Sequence, residues 1–373
     1  MQQVLRTRLG RLLAFLALVL LFGVCFRADP GSAQDSSKGW VFASIPQADL
    51  WFHGMAVVDP VGPGPNPLYD PAYPGEVRRA REEAGLGPTA LDTRSGYFRQ
   101  AFRRDPAFEV LHFVPLYFHR AGRAEFFSAM KLLVGTREGI PRAQSANTAF
   151  GLTAVGSVLT TQAQRMVLGE FVSALEAEWN VFFEEWWQRG AVSRDSILVS
   201  LQEIWVEEYG PSLGPVLQNL EMSGGLVTLV PAIGDEGRIF GGTSDNPMDN
   251  VLVVSAPNSP DQSVEIIYSM LREVSFPMVR RVMDRGGRVV GNRSEEERLA
   301  SIAAIRSGAL ILEKYRPHEL MDYQRFFLTQ AGRMIPTGEA TEGPFREVFP
   351  IDQAIERALR EEMFTMETNG GIG

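Results

Sequence analysis

The chain holds four histidines, His53, His112, His119 and His318, and a single cysteine, Cys25. No HxH or HxxxH pair occurs, so no helix turn offers two imidazoles to one metal ion. His112 and His119 would share a face on an unbroken helix, but Pro115 stands between them and interrupts it. His53 lies in the apolar run Leu50-Trp51-Phe52-His53-Gly54-Met55, where a hydrogen-bonded core histidine is expected. His318 follows Pro317 at a helix start and is expected in solvent. No Gly-x-Ser-x-Gly elbow is present, and Gly286 to Gly291 matches neither phosphate-cradling loop pattern.

These residues must be carried by a folded body. The 373 residues are 45% hydrophobic and 22% charged, which excludes a disordered or disulfide-stapled chain. Residues 1–33 read as a secretory signal, with Arg6, Arg8 and Arg11 before a 15-residue apolar run, Leu12 to Phe26, and cleavage near Ala33. A run of that length is short of the roughly 20 residues of a spanning helix, so no stable membrane insertion is expected after cleavage. Cys25 leaves with the leader, and thiol chemistry leaves with it. The expected location is therefore secreted or periplasmic. The net charge of −9 becomes more negative once the arginine-rich leader is gone, which leaves no footprint for nucleic acid.

Three regions follow: the leader at 1–33, a helical region at 34–223, and a small sheet with helices at 224–373. Helices are expected at 48–58, 76–84, 95–102 and 123–133, and the prolines of 59–74 mark an extended loop. The stretch 145–189 is too long for one helix, with Gly169 and Asn180 as the expected breaks. Trp179, Phe183, Trp186 and Trp187 share one broad helical face there, as a core stripe does. A helix at 195–208 is expected to close at Gly210-Pro211. Strands are expected at 226–231, 238–242 and 251–256, then helices at 260–284, 295–315, 317–331 and 350–365. The order predicts a helix-rich α+β fold, a small mixed sheet with its edge strand packed on an active-site-like helix, flanked by N- and C-terminal helical regions.

The segment from Gly225 to Ser307 resembles the catalytic core of zincin-type metallopeptidases, of the gluzincin branch. In that family a strand and an edge strand precede a helix carrying HExxH, and a glutamate from a following helix completes the zinc site. The resemblance places the edge strand at Asp249 to Pro257, with Leu252 to Ala256 as the edge itself. It places the motif helix at Ser263 to Pro277 and the third ligand among Glu295, Glu296 and Glu297. Arg272-Glu273-Val274-Ser275-Phe276 then falls where HExxH would stand, with only its glutamate kept. Arg272 and Phe276 replace the two imidazoles; one is a permanent cation and the other cannot coordinate. Pro277 is expected to kink or end this helix.

The resemblance implies a catalytically inactive member with no metal and no other cofactor. It would bind a peptide or protein partner in the former substrate cleft, whose floor would hold Tyr268, Arg272, vestigial Glu273, Phe276, Glu296 and Glu297. Two other readings stay open. One is an active hydrolase in which His53, His112 or His119 approaches Glu273 as part of a replaced ligand set. The other is a helical envelope-associated protein that meets its partner through the face around Trp186 and Trp187.

Overall fold

A computed structural model describes residues 39–58, 68–242, 250–285 and 293–370. The leader at 1–33, most of the proline-rich loop at 59–74 and the glycine turn at 286–291 lie outside the described residues.

Four strands form one mixed sheet: β1 (Trp40–Ala43), β2 (Gly225–Val230), β3 (Arg238–Phe240) and β4 (Val251–Ser255). Their order is β1-β2-β4-β3, with β1, β2 and β4 parallel and β3 antiparallel to β4. Leu226 lies opposite Val251, and Phe240 lies opposite Val251 from the other side. The strand expected at the edge, Leu252 to Ala256, is therefore interior. Three-residue β3 is one edge and β1 the other. The physical reason is legible in β4 itself: Val251-Leu252-Val253-Val254 is apolar at every position, as suits a strand covered on both faces. Edge strands tend to be short and to carry charge, and β3 with Arg238 does both.

The sheet divides two apolar cores. Val251 and Val253 join the core built from residues 50–183. Leu252 and Val254 join the other, with Trp40, Phe42 and the helices from residue 197 onward. The result is helices on both faces of a small sheet, the helix-rich α+β arrangement that the element order predicts.

The principal helices of the first layer are α1 (Pro46–Val58), α2 (Tyr73–Glu83) and α3 (Gln162–Glu178). The principal helices of the second are α4 (Ala191–Ile204), α5 (Ser263–Arg285), α6 (Arg293–Tyr315), α7 (Leu320–Gln330) and α8 (Gln353–Gly370). Three expected helix breaks shift. Residues 145–189 part at Leu159 to Thr161, where the Thr161 side chain caps α3, and a π-helical turn at Trp179–Phe183 takes the place of a break at Asn180. Gly169 lies inside α3, where an added Cβ would stand 2.7 Å from Val134; its lack of a side chain lets the helix Arg123–Gly135 approach. The helical path also runs through Gly210-Pro211 to Asn219, because proline is tolerated in the first turn of a new helix.

Helix α5 likewise passes through Pro277 to Arg285. Proline removes one helix hydrogen bond there, at a cost of about 3 kcal/mol. Met278, Val279 and Val282 beyond it are buried in the second core, and that burial outweighs the local cost.

The aromatic stripe is core in part: Trp179 and Phe183, with Phe182, are buried and pack with His53, while Trp186 and Trp187 are half-buried against them. His53 is a satisfied core histidine. Its Nε2 lies 3.1 Å from a Glu178 carboxylate oxygen and its Nδ1 3.0 Å from the Tyr73 hydroxyl. A carboxylate only accepts, so these partners assign the proton to Nε2 and make Nδ1 the acceptor. Burial lowers the His53 pKa and keeps the ring neutral. Arg81 bonds both Glu178 and Asp92 and closes the network.

Asp49 on α1 accepts from Trp187 Nε1 at 2.6 Å and Ser44 Oγ at 2.7 Å. Burial nevertheless raises its pKa to about 6, against those two bonds and the charge of Arg194. The folded state thus holds this proton more tightly than the unfolded chain does. Its contribution to stability is full below pH 3.8 and is lost as the pH rises through about 6. Asp49→Asn keeps the acceptor and removes the charge, so the denaturation midpoint of the natural chain should fall relative to the variant across that window. A difference that is constant from acid to neutral pH would assign the titration to another group.

Candidate functional site

Helix α5 presents Arg272 and Glu273 to the loop between β2 and β3. Glu273 is 3% exposed and accepts the Gly237 backbone N–H at 3.1 Å, immediately before edge strand β3. Arg272, also 3% exposed, donates to the Asp235 carbonyl at 2.8 Å and the Ser301 hydroxyl at 2.8 Å. It reaches the Glu236 carboxylate at 3.3 Å and Glu273 at 3.5 Å. Burial pushes the Glu273 carboxyl up, while Arg272 and Arg238 oppose that. Together the two side chains form a latch that pins Asp235-Glu236-Gly237 against α5.

The structure brings Arg272, Glu273 and Phe276 together and leaves the other expected cleft residues elsewhere. Phe276 is half-buried, its ring centroid 5.9 Å from the Arg272 guanidinium carbon. Tyr268 is buried in the second core against Tyr323 and Phe326 and floors no cleft. Glu295, Glu296 and Glu297 are exposed near the start of α6, the first two in its first turn. The α6 group that reaches Arg272 is Ser301, further along the helix. The expected acidic third position thus drops out, because the helix register faces a hydroxyl to the guanidinium.

The family that this segment resembles holds zinc at this place, and the residues here do not fit it. A guanidinium fills the position of one ligand, a phenyl ring that of the other, and the remaining carboxylate is held by a backbone N–H. Among the described residues no group of three or more histidine, cysteine or acidic side chains could hold a metal ion. The histidines do not repair the set. His53 is engaged at both nitrogens as above, and neither His112 nor His119 belongs to a group of three possible ligands among the described residues.

A cleft of about 280 Å³ opens next to the latch, beyond the carboxyl ends of parallel strands β2 and β4. That is where open sheets with helical layers characteristically receive ligands. One wall is the loop 231–237. Its backbone is tied to the preceding segment by Asp70 N–H to the Ala232 carbonyl at 3.1 Å and Gly234 N–H to the Leu68 carbonyl at 2.8 Å. The opposite wall is the start of α5, with Glu265 and Ser269, and Phe326 and Gln330 of α7 close the side. Asp235 and Gln330 also border a second cavity of about 10 Å³ that Arg272 lines. The latch therefore stands behind the cleft wall and fixes it, without opening into the cleft.

The cleft residues were not singled out by sequence reasoning. The signal available was the pair of strand ends, Val230-Pro231 and Ser255-Ala256-Pro257. Its use requires knowing that the two strands lie side by side and parallel. No family model, curated protein or solved structure matches the chain. Fold and site define it as a helix-rich α+β protein with a small mixed sheet and an acidic cleft at the sheet's carboxyl end. Among the described residues no helix is long and apolar enough to cross a membrane.

Proposed function

We propose that the protein is an exported, non-catalytic binding protein with a zincin-like core, which holds a peptide or protein partner in the cleft beside α5. The single observation that carries this reading is Arg272. Its guanidinium fills the place of a first metal ligand and is bonded to Asp235, Glu236, Ser301 and Glu273 at once. A cation held there repels a metal ion, and Glu273 is buried with its carboxylate accepting from Gly237 and paired with that cation. Two strands precede the helix that carries Glu273, as in that family, although the one nearest the helix in sequence is interior here. Because β4 is interior, a partner is held by the cleft at its carboxyl end and not by strand addition along it.

Metal analysis of the mature chain from Gln34 onward tests the reading. No zinc is expected to survive dialysis, whereas about one zinc per chain would mean a ligand set exists and would overturn it. Arg272→His with Phe276→His restores two imidazoles one turn apart. Zinc uptake by that double variant is expected if the core has the zincin geometry.

A further inference from the structure

We propose that the cleft beside α5 binds the alkylammonium or guanidinium group of a basic ligand, with the carboxylates of Asp235 and Glu265 as its anchors. The inference rests on the reading of this cleft as the binding site and adds the chemistry of what enters it.

Three observations carry it. The first is size and polarity. About 280 Å³ lies just below the roughly 300–1,000 Å³ of ordinary small-ligand pockets, so one long side chain or a slender amine fills it. The second is charge. Asp70, Asp235 and Glu265 line the cleft and no lysine, arginine or histidine does; its other polar side chains are hydroxyls and amides such as Ser269, Gln262 and Gln330.

The third is that two of these carboxylates lack partners. Glu236, Glu273, Glu319 and Glu362 of the same half of the molecule are all ion-paired. Among the described residues, no hydrogen bond or ion pair reaches the side chain of Asp235 or Glu265. Both are partly withdrawn from water, and burial pushes both carboxyls up. A partly desolvated carboxylate without a partner gains more from an arriving cation than a solvated one does. Arg272 acts on Asp235 through its charge and donates to the Asp235 carbonyl, but it makes no ion pair with the Asp235 carboxylate and is already shared between Glu236 and Glu273. The acidic balance of the whole chain, −9, adds long-range attraction for a basic ligand.

The test titrates the mature full chain with three probes: spermidine, a capped Gly-Lys-Gly peptide, and a capped Gly-norleucine-Gly peptide as the neutral match. Calorimetry reads affinity, and hydrogen exchange reads where protection appears. At least one basic probe is expected to bind saturably and to protect 255–269. The norleucine peptide is expected not to bind, and Glu265→Gln and Asp235→Asn should each weaken the basic probe about tenfold or more. The exposed control Glu185→Gln should leave affinity unchanged. Tighter binding of the lysine peptide identifies a polypeptide as the source of the cation, and tighter binding of spermidine a free polyamine. Equal binding of the norleucine peptide at 255–269 overturns the charge inference and leaves the cleft as a binding site. Protection that appears only elsewhere, or no binding of any probe, overturns the inference, and the former removes the cleft reading as well.

Discussion

Arg272→Met is expected to lower the stability of the protein by about 3–5 kcal/mol, read by chemical denaturation at neutral pH. Methionine matches the aliphatic stem and removes the charge, so the change isolates the guanidinium. Four interactions vanish at once, to Asp235, Glu236, Ser301 and Glu273. The larger part of the loss comes from what stays behind. Glu273 remains 3% exposed with the Gly237 N–H as its close donor, and a buried carboxylate without its cation is strongly unfavourable. That account makes a second demand. Adding Glu273→Gln to Arg272→Met should recover part of the loss, since the glutamine carbonyl still accepts from Gly237 and carries no charge. A loss below about 1 kcal/mol for Arg272→Met, or no recovery in the pair, would show that the guanidinium holds neither the loop nor the carboxylate.

The latch also shows what sequence can and cannot convey. The local elements were legible because their causes are local. Helical spacing and flanking turn residues located α1, α5, α6 and the helix at 123–135 to within a few residues. The run Val251 to Val254 is as plainly a strand, and its unbroken apolar character pointed to an interior position that the edge assignment passed over. Strand β1 went unseen because Trp40-Val41-Phe42-Ala43 is four residues long and exists only by pairing with β2, far along the chain. Pro277 is expected to kink or end α5 because proline acts locally, whereas burial of Met278 and Val279, which carries the helix on to Arg285, is a tertiary effect.

The same division runs through the candidate site. Arg272 and Glu273 were found together because they are neighbours in sequence on one helix. Their partners Asp235, Gly237 and Ser301 come from two other elements, and only the packing of α5 against both brings them in. The acidic cleft draws Asp70, Asp235 and Glu265 from three segments. No spacing rule links such residues before the chain has folded.

Gly237 joins the latch to the cleft, and Gly237→Ala should damage both. An added Cβ would lie 2.6 Å from the Val253 carbonyl oxygen and 2.9 Å from Glu273 Cγ. The first of these cannot move, because Val253 is paired to Thr228 on one side and Arg238 on the other. Relief must come from the loop or from Glu273, and either movement lengthens the 3.1 Å bond between them. Overpacking of about 1–3 kcal/mol and an unsatisfied buried carboxylate of about 1–3 kcal/mol together predict a loss of about 2–6 kcal/mol. Gly75→Ala in α2 is the matched control: nothing lies within 4 Å of its Cβ, and within a helix alanine is favoured over glycine. The loop carries the Asp235 side chain into the cleft, so Gly237→Ala should also weaken a basic probe under conditions where the variant remains folded. Stability within about 0.5 kcal/mol of the natural chain would mean the loop moves freely, since substitutions that disturb no such feature stay within that range. The wall of the cleft would then be set by the Leu68 to Asp70 segment instead of by Arg272 and Glu273.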